Sequence, residues 1–191
     1  PRKQVAQFVG YPDQHGARIL GPHYLGGLSP GKARVGGVGG AAESTRRAFK
    51  PGVVGVMSRS GGMTVEISNA LSESGLGIST AVSLGGDAII GSTYAELMPL
   101  FDADPETKGI AIYSEPGGQA EAQLADYMRE SGSKLPVVAF MAGRFMDDMP
   151  GMRFGHAGTI VEGRADTTAE KIARMEAAGI RVAERIEDIP R

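Results

Sequence analysis

An α/β fold, a doubly wound parallel sheet with helices on both faces, is what this sequence predicts, and three observations predict it. Continuous apolar runs recur at 53–57, 78–84, 109–113 and 136–140, as in strands covered on both faces. Segments with helical apolar spacing separate them. Glycines, prolines and capping residues punctuate the junctions, and strands alternating with helices at this spacing build parallel βαβ units.

Residues 1–20 read as the remnant of a preceding domain: a helix-like run from Lys3 to Phe8, then a short strand over 17–20. Residues 21–52 read as a glycine-rich connector and a short helix over 41–49, ended by Lys50-Pro51-Gly52. The regular domain is 53–191. After its first strand, Met63, Ile67, Ala70 and Leu71 form the i, i+4, i+7, i+8 stripe of a helix over 62–74, closed by Gly75 and Gly77. Beyond strand 78–84, Thr93 and Glu96 make a capping box for a helix with Tyr94, Leu97, Leu100 and Phe101 on one face. Asp104-Pro105 stops it. Strand 109–113, helix 119–130 (Leu124, Tyr127 and Met128 inward) and strand 136–140 follow. A loop of more than 20 residues comes next, a length that marks functional segments. Thr167 and Glu170 then open a last helix, with Ile172 and Met175 inward, which Gly179 ends before a short strand at 181–183.

At 191 residues the length fits one domain, with or without part of another, and 41% hydrophobic content fills a core. A net charge of −2 provides no field for nucleic acid or an anionic membrane, so neither is expected as a partner. The absence of cysteine excludes disulfides and thiolate metal sites. His15, His23 and His156 lie far apart with no H-E-x-x-H pattern, so no metal is expected on this chain. No apolar run approaches the roughly 20 residues that span a bilayer, and no signal-peptide pattern opens the chain. A soluble, intracellular protein is expected.

His156 lies between Gly155 and Gly158 in the long loop, where small neighbours let a ligand approach. The plainer reading is a turn whose imidazole caps a carbonyl. Ser58-Arg59-Ser60-Gly61-Gly62-Met63-Thr64 follows a buried strand and opens a helix. Ser60 can cap it, and the free N–H groups of Gly61 and Gly62 suit an anion, or merely form an ordinary N-cap turn. Glu115 ends the third strand, where a carboxylate could hold one nitrogen of His156 and leave the other to attack. Gly85-Gly86-Asp87 ends the second strand. Ligands of such sheets sit at the carboxyl ends of the strands, so these motifs converge. A histidine, an orienting carboxylate and a helix N-terminus suit a transient phosphohistidine. Two nucleotide motifs fail. Residues 26–33 would be a P-loop but for Ala33 in place of Ser or Thr, and Gly37-x-Gly39-x-x-Ala42 lacks the acidic residue about 20 positions on.

Taken together, Arg153-Phe154-Gly155-His156-Ala157-Gly158, Ser58-Arg59-Ser60-Gly61, Gly85-Gly86-Asp87 and Glu115-x-Gly117-Gly118 resemble the ligase half of the succinyl-CoA synthetase α subunit, a module shared by ATP-citrate lyase. The likeness runs from Gly21 onward. It implies a flavodoxin-like CoA-ligase domain in which His156 is phosphorylated and Glu115 partners its ring. Ser58, Ser60, Gly61 and Gly62 would begin the helix that receives the phosphate, with Gly85, Gly86 and Thr64 at the acid. The implied reaction passes phosphate from ATP or GTP, with Mg²⁺, to His156 and on to a di- or tricarboxylic acid. Coenzyme A then attacks the acyl phosphate. A CoA-binding domain ahead of Gly21 and a β subunit or domain of ATP-grasp fold are the implied partners, in a hetero-oligomer with a contact surface around the His156 loop. The compartment would be the cytoplasm, or the mitochondrial matrix in a eukaryote. Val65 stands where succinate-using members carry tyrosine, and Gly61-Gly62-Met63 is closer to the citrate-cleaving relatives, so malate or citrate joins succinate as a candidate acid. His23 replaces the usual Asn after Gly-Pro. Two other readings are a non-catalytic regulatory or assembly domain of the same family, and a flavodoxin-like receiver, whose acidic cluster Asp87 alone matches poorly.

Overall fold

The computed structural model describes residues 2–191; Pro1, at the head of the expected 1–20 remnant, lies outside them. In chain order the elements are α1 (Arg2–Asp13), β1 (Gly26–Ser29), β2 (Ala33–Gly36), α2 (Ala42–Ala48), β3 (Pro51–Ser58) and α3 (Gly61–Glu73). They continue with β4 (Ile78–Ser83), α4 (Tyr94–Ala103), β5 (Gly109–Ser114), α5 (Ala120–Glu130), β6 (Val137–Met141), α6 (Thr168–Ala177) and β7 (Arg181–Ala183). One sheet runs β2-β1-β4-β3-β5-β6-β7. The five strands from β3 on are parallel, and β1 joins β4 antiparallel. Counted alone, the parallel strands have the flavodoxin-like order 2-1-3-4-5. The doubly wound expectation holds.

Both faces are covered, which explains the continuous apolar strands. Successive residues of β5 point to opposite faces. Ile110 and Ile112 join Met57, Tyr94, Leu97, Leu124 and Met175 beneath α4, α5 and α6. Ala111 joins Val54, Val56, Ile67 and Leu71 beneath α2 and α3. Leu124 is fully buried in the first of these layers. Leu124→Ala should cost about 2–5 kcal/mol, the usual range for a truncated core leucine. A urea titration should show a lower midpoint with an unchanged slope.

Several local expectations change. The stretch read as a strand over 17–20 is irregular: the Ile19 carbonyl accepts from the Ser92 hydroxyl (2.9 Å), and Gly21 bonds to Leu84 and Gly91 instead of to a strand. The glycine-rich run after it, read as connector, supplies the β1–β2 hairpin, whose register pairs Gly26 with Gly36 and Ser29 with Ala33. Residues 26–33 are thus hairpin, not a phosphate loop. The Thr93–Glu96 capping box is complete. At Thr167 only half of one forms: its hydroxyl accepts from Glu170 N, while the Glu170 carboxylate faces Arg164 at 3.6 Å.

The long loop after β6 is ordered by local bonds, including short 3-10 turns at Arg144–Asp148 and Arg164–Asp166. Asp147 ties it to α6: its carboxylate accepts from Thr168 N (2.7 Å), Ala169 N (3.1 Å) and the Thr168 hydroxyl (2.7 Å). A carboxylate there satisfies the helix's free N–H groups and its positive end.

Candidate active site

The loops that matter meet at the carboxyl ends of β3, β4 and β5, where the chain reverses its winding direction. Ser58 pairs with Ser83 on one side and Tyr113 on the other, so the three strands end level. Open crevices form at such reversals. Here a cleft of about 540 Å³ is lined by His23, Tyr24, Leu25, Gly61, Gly62 and the 155–157 segment.

Within it, His156 Nδ1 lies 2.8 Å from both carboxylate oxygens of Glu115. The imidazole side chain is one-third exposed, whereas Glu115 is 6% exposed. The Thr159 hydroxyl donates to the same carboxylate at 3.0 Å. A carboxylate accepts, so this geometry suits a ring with its proton on Nδ1, the tautomer that leaves the Nε2 lone pair free. Gly86 forms the floor under the ring: a Cβ there would sit 2.2 Å from the imidazole Cγ. Only glycine permits that approach.

Helix α3 points its N-terminus at the cleft. Ser60 caps it, accepting from Met63 N at 3.4 Å, and no acidic residue occupies the first turn. The N–H groups of Gly61 and Gly62 have no acceptor within the helix, and with the helix dipole they favour an anion. Ser58 and Thr64 are turned elsewhere. The Ser58 hydroxyl donates to Ser60 O (2.6 Å) and accepts from Ser60 N (3.1 Å), and the Thr64 hydroxyl donates to Ser60 O (2.8 Å). Both side chains are fully buried, and their hydroxyls close the turn.

Charged groups are stacked beneath. Arg59, 4% exposed, donates to Asp87 O (3.0 Å) and Gly117 O (3.4 Å), tying the ends of β3, β4 and β5 together. Its Nε has no partner. Lys171, on α6, reaches the Glu115 and Gly117 carbonyls and the buried Glu121 carboxylate. Burial, and then the Glu115 charge, push the Tyr113 phenol up to about 12. Tyr94, buried with Glu121 nearby, is raised well above its ordinary value, and its hydroxyl donates to Tyr113 O at 2.5 Å. At the cleft mouth His23 Nδ1 meets the Asp87 carboxylate at 2.9 Å. Among the described residues no group of three or more His, Asp or Glu side chains could hold a metal ion. None of the helices there is long and apolar enough to cross a membrane.

The predicted residues therefore fall into three sets. His156, Gly61 and Gly62 line the cleft, Glu115 and Gly86 back the histidine, and Ser58, Ser60, Gly85 and Thr64 build the turns behind. Sequence reasoning missed the roles of Arg59, Thr159, Lys171 and Glu121. Arg59 and Thr159 lie within or next to the recognised motifs, so an eye on polar neighbours would have found them. Lys171 and Glu121 are 50 positions apart and carry no local signal.

Known proteins place the chain in a family. Residues 57–181 match the family model described as CoA-ligase. The chain is 44% identical over 167 residues to the ADP-forming succinate–CoA ligase subunit alpha 2 of Archaeoglobus fulgidus, covering 87% of this chain and 55% of that protein. It is 39% identical over 173 residues to the malate–CoA ligase subunit alpha of Methylorubrum extorquens, covering 91% and 55%. Among solved structures, Methanosaeta concilii ATP citrate lyase in complex with (3S)-citryl-CoA superposes with a TM-score of 0.92 at 28% identity, covering 100% of this chain and 32% of that one. The chain thus spans about half the length of the curated relatives it matches. It belongs to the CoA-ligase family.

Proposed function

We propose that this chain is the phosphohistidine-bearing part of a nucleotide-dependent acid–CoA ligase acting on a small di- or tricarboxylate. One observation carries the reading: a cleft-lining imidazole held through Nδ1 by a buried carboxylate, beside the N-terminus of α3. Nε2 attacks the terminal phosphorus of ATP, the bond to the leaving ADP oxygen breaks, and a P–N bond forms. Glu115 stabilises the positive charge the ring gains. A carboxylate oxygen of the acid then attacks phosphorus, the P–N electrons return to Nε2, and an acyl phosphate results. Attack of the CoA thiolate on its carbonyl releases phosphate and leaves the thioester. The helix N-terminus would offset charge on the phosphoryl group in transit, an electrostatic role that needs no proton transfer.

On this reading the CoA-binding domain and an ATP-grasp β partner complete the enzyme, and Mg²⁺ arrives with the nucleotide. The succinate– and malate–CoA ligases among the relatives favour a dicarboxylate, with succinate and malate the first to try and sulfoacetate, named for two other relatives, next. The test is incubation of the chain and its ATP-grasp partner with radiolabelled ATP. Label that withstands alkali and is lost in acid is expected; acid-stable label, or none, would sink the proposal.

Gly86→Ala should separate binding from chemistry. The new methyl group drives the ring off Glu115 while β4 and the core stay intact. A misplacement near 1 Å costs on the order of 10²-fold in rate. Initial labelling rates should fall by about that factor, with the circular dichroism spectrum unchanged.

A further inference from the structure

The chemistry above leaves a buried ion pair unused. Lys171 and Glu121 have side chains 4% and 1% exposed and meet at 2.6 Å. A buried pair of this kind contributes little net stability compared with apolar residues of similar size. Its other contacts give it a different use. Lys171 Nζ also donates to Glu115 O (3.1 Å) and Gly117 O (2.6 Å), so all three of its donors are engaged. Those carbonyls bracket the turn that carries the Glu115 side chain. The turn in turn abuts the histidine loop: Gly117 has φ +85°, and a Cβ on it would lie 2.4 Å from Gly158 O and 2.7 Å from Ile160 O. A chain of direct contacts therefore runs from α6 through Lys171 to the 115–117 turn, and from that turn to the segment just after His156.

We infer that Lys171 is a positioning residue: it touches no reacting atom and sets the place of the Glu115 carboxylate against His156 Nδ1, while Glu121 holds its ammonium in aim. A single ammonium with three fixed acceptors locks the turn in one geometry, which a catalytic hydrogen bond requires. The inference rests on the proposed function only for its kinetic consequence; the positioning itself is a property of the contacts within this chain.

Lys171→Met alone would strand the Glu121 charge in the core and could unfold the chain, so the informative variant is Lys171→Met with Glu121→Leu, which removes both charges together. Lys171→Arg is the second variant, since it keeps the ion pair but cannot place three donors at the same points. Two readouts are taken on the chain assembled with its ATP-grasp partner. Nitrogen NMR of the His156 ring reports whether Nδ1 still holds the proton, and radiolabelled ATP reports the rate of phosphate uptake and the KM for nucleotide. In whichever variant folds, the expected result is a mixture of ring tautomers and labelling slowed by about 10- to 100-fold at unchanged KM. A folded variant with the native tautomer and native labelling rate overturns the inference and leaves the pair a packing feature. If the wild-type chain takes no label but the variants still mix the tautomers, the positioning role stands and the proposed function falls.

Discussion

Replacing His156 by asparagine should reduce phosphate uptake from the nucleotide to background. Loss of a nucleophile lowers turnover on the order of 10⁶-fold, because nothing else in the site can form the covalent intermediate. The alternatives are poor: His23, at the cleft mouth, is 72% exposed and its Asp87 partner 22% exposed, so solvent weakens that pairing, and behind the cleft the hydroxyls of Ser58 and Thr64 are bonded inside the α3 turn. The loss is chemical, not structural. The imidazole is partly exposed on a loop, and asparagine can still offer an N–H toward Glu115, so the change in folding free energy should stay within about 1 kcal/mol. Labelling and thermal unfolding of the same sample separate the two effects. A variant that unfolds below assay temperature, or one that still takes acid-labile label, contradicts the assignment.

Glu115→Gln should be nearly as damaging with the shape of the site preserved. The amide can donate as well as accept, so it admits the ring tautomer whose Nε2 carries a proton and cannot attack. The same defect in a serine protease triad lowers turnover by about 10⁴. A loss of about 10² to 10⁴ in labelling rate is expected here. The substitution also removes negative charge from beside Tyr113. Burial remains, but the carboxylate that opposes the phenolate is gone, so the phenol should ionise below its native value of about 12. An ultraviolet titration of the folded variant checks that sign. An unchanged Tyr113 transition would mean that Glu115 does not face the phenol as an anion.

Much of this site is legible in the sequence. Apolar runs such as 53–57 and 109–113 announced buried parallel strands, and in a doubly wound sheet the strand ends are where ligands go. Local signals therefore placed Ser60, Gly86, Glu115 and His156 at one end of the sheet. What stayed hidden was everything fixed by long-range pairing. The β1–β2 hairpin is glycine-rich and its outer strand fully exposed, so no alternation of apolar and polar residues marked it. The false strand at 17–20 had apolar residues, but here Ile19 bonds to the Ser92 hydroxyl and Gly21 to Leu84 and Gly91, not to a strand partner. Thr64 sits in the right motif, yet a hydroxyl one turn into a helix can bond back to the carbonyl four residues earlier, and here it does. Lys171 and Glu121 carry no local signal, and they meet only because α5 and α6 pack side by side.

The central claim is that one imidazole nitrogen is tied to a carboxylate so that the other can carry phosphate. Phosphorus–nitrogen NMR correlation on the phosphorylated chain, with its histidines nitrogen-labelled, measures this directly. The account predicts a single phosphoramidate whose phosphorus couples to Nε2 of His156, while Nδ1 keeps its proton toward Glu115. Coupling to Nδ1, or to His15 or His23 instead, would contradict it.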